Sequence, residues 1–111
     1  MNAKGHASKA ERIQASLAKL SDSEDHELVI EACYAAALHY LAVISETRVK
    51  GHQDTHKSLP AFLDEHGLTD LATAFRDLDI LRAGQYYGAQ GNGHAAREAR
   101  RLLAEIKSRV H

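Results

Sequence analysis

DHELVIEACYAAALHYLAVISETR, residues 25–48, is the stretch that decides the fold. It has neither Gly nor Pro, and Val29, Cys33, Ala36, Tyr40 and Ile44 recur along it at gaps of four, three, four and four. Leu28, Ala32, Ala35 and Leu41 widen that stripe on either side. Apolar residues at this spacing share one face of a helix. The stretch makes about six turns, well beyond an average helix. At about 1.5 Å per residue it spans on the order of 36 Å, the height of a small domain. The pattern predicts the spine of a helical bundle.

Upstream of it, residues 1–7 are expected to fray. Ser8 to Leu20 reads as an amphipathic helix with Ile13, Leu17 and Leu20 on one face. In the connection LSDSED, Ser21 and Glu24 have the spacing of a capping box, and Ser23 is a second candidate cap. Downstream, the central helix is expected to reach Arg48 or Lys50 and stop at Gly51. The polar HQDTHKSL (52–59) reads as a loop. Pro60 opens a short helix that Gly67 ends. Thr69 caps the next helix, DLATAFRDLDILRAGQYY, whose apolar face is Leu71, Phe75, Leu78 and Leu81 or Ile80. Gly84 weakens that helix. GAQGNG (88–93) reads as a turn, and the last helix turns Ala95, Ala99, Leu102, Leu103, Ile106 and Val110 inward. The expected fold is all-α: an antiparallel up-and-down bundle of four main helices plus one short helix. One domain spans residues 1–111.

The chain has 14 Lys and Arg against 15 Asp and Glu, for a net charge of −1. No large basic field therefore steers it to nucleic acid. The charges are unevenly placed. Asp22, Glu24, Asp25, Glu27 and Glu31 gather at a helix start, and Arg97, Arg100, Arg101, Lys107 and Arg109 run to a helix end. Those are the ends the helix dipole favours for each sign. The sharper alternative is a basic patch that touches phosphates. The single Cys33 falls on the apolar stripe and reads as a small buried hydrophobe. It suits a reducing cytosol. No signal-peptide pattern opens the chain. The best apolar run, Ala32 to Ile44, is interrupted by His39 and Tyr40, short of the roughly 18 residues of a membrane span. A cytoplasmic protein without a membrane segment is the expectation.

Three patches carry a resemblance to a known family. They are EACYAAALHYLAVI (31–44), DTHKSLPAFLDEHG (54–67) and DLDILRAGQYYG (77–88). In order and spacing they resemble the HEPN family of small all-α domains, over about residues 24–110. The second patch is similar to the Thr-His-x-x-Leu…Phe segment of one HEPN branch. The third is similar to that branch's Leu-x-x-x-Arg…Asp-Tyr segment, with Gln85 standing where that pattern has Asp. The resemblance implies an antiparallel bundle that pairs as a two-fold homodimer. It also implies either a minimal nucleotidyltransferase partner in a toxin–antitoxin or stress module, or a metal-independent RNase. The family's nuclease motif is an Arg followed by His after four to six residues. Here Arg82 meets no His until His94, eleven residues intervening, and only three separate Arg48 from His52. Neither spacing fits.

The candidate site is therefore a nucleotide- or phosphate-binding face made by Arg82, Tyr86, His56 and Lys57. Arg82 and Tyr86 stand four apart and share a helix face. The arginine would hold phosphate and the aromatic would stack on a base. The structural alternative is an Arg packed on a Tyr and paired with Asp77 or Asp79. An RNase reading would join Arg82 to His56 or His94 across a dimer, as acid–base and charge-stabilising groups. A third reading is a purely structural bundle. His52 and His56 have i, i+4 spacing with Asp54 between, but the polar loop and the lack of a third ligand argue against a metal. No cofactor is expected. His39 reads as a satisfied boundary histidine, and His26 and His66 as solvated. GAQGNG precedes a helix whose amides could meet an anion, yet it matches neither nucleotide fingerprint.

Overall fold

The stripe of residues 25–48 forms one unbroken rod, and the other helices pack around it. The computed structural model describes residues 2–49, 59–87 and 93–110. Helix α2 covers His26–Ile44 and continues into a π-helical turn, Ser45–Val49. Helix α1 (Ala3–Leu17) precedes it, and α3 (Leu59–Glu65), α4 (Thr69–Tyr87) and α5 (Gly93–Lys107) follow. No strand occurs among the described residues, so the fold is all-α. Helix α2 touches α1, α4 and α5, while α3 lies on α4, and α4 on α5. The long dimension of the molecule is 39 Å, close to the length of the central rod.

The reason lies in the composition of α2. Val29, Ile30, Cys33, Tyr34, Ala36, Ala37, Tyr40, Leu41 and Ile44 are all buried, which covers most of its circumference. A helix apolar nearly all round is stable in water only when neighbours cover it on several sides. Leu17 of α1, Phe75 and Leu78 of α4, and Leu103 and Ile106 of α5 complete that core. Ala36 and Ala37 carry the least bulk and are fully buried, so neighbouring axes can come close. Within the 23-residue span His26–Arg48, an 18-residue window has a mean hydropathy of 1.7, enough by length and composition to cross a bilayer. Counting unbroken apolar runs misses this. In the fold, 67% of that window is buried inside the protein, as the core helix of a globule would be.

Several boundaries differ from expectation. Helix α1 starts at Ala3 rather than Ser8, because the Asn2 side chain accepts the Gly5 N–H at 2.9 Å and caps the first turn. The capping box at Ser21 closes one residue late. Ser21 Oγ accepts the Glu24 N–H at 3.2 Å, but the return bond runs from the Ser21 N–H to Asp25 Oδ2 at 2.8 Å. The shorter carboxylate at the next position reaches the amide that Glu24 was expected to take. Gly67 does end α3, in the left-handed region at φ 76°. The first bond of α4 runs from the Ala72 N–H to the Leu68 carbonyl at 3.0 Å, so Leu68 rather than Thr69 occupies the cap position. Of the two options for the face of α4, Leu81 packs on the core and Ile80 is 67% exposed. Leu28, expected to widen the stripe, is 60% exposed. Gly51 and the segments 52–58 and 88–92, expected to hold a stop, a loop and a turn, lie outside the described residues.

Candidate functional site

The buried stripe of α4 runs Leu71, Phe75, Leu78 at gaps of four and three. Another step of four lands on Arg82. Arg82 thus leaves the backbone on the core side, where an unpaired charge would be costly. Helix α2 supplies the answer. The Arg82 guanidinium lies 4.5 Å above the Tyr34 ring. Its Nε donates to both oxygens of Glu31 at 3.1 Å, and a terminal nitrogen stands 3.7 Å from Asp79 Oδ1. The Tyr34 ring stacks in turn on Phe75, with ring centres 5.2 Å apart. Burial, with Asp79 nearby, pushes the Tyr34 phenol above its ordinary pKa.

The arrangement fixes what Arg82 can do. Cation–π stacking and a forked carboxylate hold its plane rigid. Two carboxylates within salt-bridge reach more than offset its single charge, so an incoming phosphate meets a neutralised site. The aromatic partner is Tyr34 from α2, and the carboxylates are Glu31 and Asp79; Asp77, the other expected partner, instead borders a surface hollow with Ile80, Leu81, Glu98 and Leu102. This is the packed-and-paired geometry, built across two helices rather than along one.

His56 and Lys57 lie outside the described residues, as do His52 and the side chain of Tyr86, whose backbone is on the last turn of α4. His94 is exposed in the first turn of α5, where its charge is felt by Glu98. The basic run of α5 is largely engaged within the fold. Arg100 meets Asp22 at 2.6 Å, Arg101 is forked on Glu98, and Arg109 is paired with Asp70. The hydrogen bonds of Arg101 hold the Glu98 carboxyl below its ordinary range. Among the described residues, no group of three or more His, Cys, Asp or Glu is placed to hold a metal ion.

Three features escaped the sequence reading. Arg100 also donates to the Leu17 and Leu20 carbonyls at 3.1 Å each. His6 and His39 meet through their Nδ1 atoms at 2.9 Å. Ser45 is fully buried at the start of the π-helical turn, and its hydroxyl has no hydrogen-bond partner. An arginine on an apolar stripe, as at position 82, is a readable signal that a carboxylate waits on a neighbouring helix. These three carry no comparable mark in sequence. No protein-family model, no curated protein and no solved structure matches the chain.

Proposed function

We propose that this chain is an interaction module of HEPN type, its four main helices arranged up-and-down and antiparallel with α3 alongside. It acts in the cytoplasm as a homodimer that docks a protein partner, a minimal nucleotidyltransferase being the class the resemblance implies. One observation carries the choice of a protein partner over a nucleotide: Arg82 is already committed to Glu31, Asp79 and Tyr34. Leu28 and Ile80 support it, as the large apolar side chains most exposed among the described residues of the two helices that Arg82 bridges.

Sedimentation of the purified protein, alone and with ATP or short RNA, tests this reading. A dimer is expected, dissociating when Leu28 and Ile80 are both changed to Glu. A monomer at every concentration, with thermal stabilisation by a nucleotide that Arg82→Ala abolishes, would overturn it in favour of a nucleotide-binding domain.

A further inference from the structure

The contact between His6 and His39 joins α1 to α2 through two groups that titrate near neutral pH. Their Nδ1 atoms are 2.9 Å apart while the ring centres are 5.1 Å apart. The two nitrogens therefore lie close to the line between the rings and point at each other. That is the geometry of a single proton held between two nitrogens. A metal ion would need both lone pairs to converge on a point off that line. Such a contact exists only when one ring donates and the other accepts. With both rings protonated, two N–H groups face each other and the bond cannot form.

Among the described residues, few side chains at this end of α1 are buried. Its buried side chains are Ala10 and Leu17, with Ile13 partly buried, and none lies before Ala10. The Asn2 cap is local to the first turn and ties it to nothing outside α1. We propose that the His6–His39 pair is a proton-operated clasp that docks the first two turns of α1 on α2 at neutral pH and lets them go in mild acid.

The surroundings favour release. Among the described residues, the charged groups acting on His39, from α1 and from every other helix packed on α2, are His6 and Lys9, both cationic when charged. Burial first, and these two next, hold the imidazole below its ordinary pKa near 6.5. The released state then binds a proton more readily than the docked one. Docking is fully favoured above that ordinary value and weakens as pH falls below it, which is the sign expected for a depressed base.

The test is amide exchange, corrected for its intrinsic pH dependence, between about pH 7.5 and about pH 5. Protection of the amides of His6 to Ala10 is expected to fall about tenfold per pH unit once the second proton enters, while α5 amides keep theirs. In His39→Gln the amide can donate to a neutral His6 or accept from a charged one, so protection should stay level across the range. His6→Gln serves the same purpose should the first variant fail to fold. Equal protection at both pH values in the wild-type chain would overturn the proposal, and so would an acid loss that persists in the Gln variants.

Discussion

Arg100 on α5 donates its Nε to Asp22 at 2.6 Å, while its terminal nitrogen reaches the Leu17 and Leu20 carbonyls at 3.1 Å. Helix C-termini leave several carbonyls without partners inside the helix. Here a side chain from another helix closes that end, and Asp22 neutralises the charge that does it. Arg100→Ala should lower stability by about 2–3 kcal/mol, the range for charged hydrogen bonds lost from a partly buried site. Arg100→Lys should restore less than half, since an ammonium cannot span the same fork. Urea unfolding of the three chains measures both.

Tyr40 makes a second tie between helices, its hydroxyl donating to Glu11 Oε1 at 2.7 Å. Burial, then that hydrogen bond, pushes the phenol up to about 12. A raised acid stabilises the fold below its unfolded pKa, ordinarily near 10. That contribution fades as pH climbs from about 10 toward 12. Tyrosinate absorbance should show Tyr40, and Tyr34 with it, titrating above the ordinary tyrosine pKa. Tyr40→Phe should cost about 1 kcal/mol at neutral pH and flatten the alkaline decline.

Cys33 is fully buried on α2, and burial pushes its thiol up to about 12. The thiolate is the reactive form. A disulfide reagent at neutral pH should therefore leave the folded chain unmodified and label it stoichiometrically in denaturant. Rapid labelling of the folded protein would mean that α2 opens often.

Ser45 places a hydroxyl without a partner in a fully buried position. An unmet hydrogen-bonding group of this kind costs about 1–3 kcal/mol. Ser45→Ala should stabilise the protein by about 1 kcal/mol in thermal or urea unfolding. A loss of stability would show that the hydroxyl is bonded in solution.

Two glycines should respond in opposite directions. Gly84 lies in α4 with open space where a Cβ would stand. Gly84→Ala should add about 0.8–1.0 kcal/mol. Gly67 has equal space but sits at φ 76°. Gly67→Ala should cost about 1 kcal/mol, because the left-handed backbone strains any L side chain. Paired melting curves separate backbone strain from crowding.

The central rod was legible in the sequence because its stripe is periodic over many turns, and local periodicity is what one chain displays on its face. The inward face of α5 was legible for the same reason. The partners across helices were not. Arg100 reaches backbone carbonyls 80 and 83 residues away, and a carbonyl carries no residue identity to read. His6 lay in a segment expected to fray, so its meeting with His39 had no local signal. Arg82 was read correctly as a pairing arginine in one alternative, but its partners were sought along its own helix and came chiefly from α2. The start of α1 was misplaced because Asn2 caps in place of any residue near Ser8.

The rod also sets a condition on synthesis. Helix α2 is complete well before α4 and α5, two of the three helices that cover it, have been made. Until then, an 18-residue window of mean hydropathy 1.7 within it stands partly bare at the ribosome exit. Translation proceeds at roughly 5–20 residues per second, so that interval lasts seconds. For that time the nascent chain resembles cargo for the machinery that inserts helices into membranes, and only the arrival of α5 withdraws it. A stop codon placed before α5 should therefore produce an aggregating or misrouted fragment rather than a smaller version of the same fold.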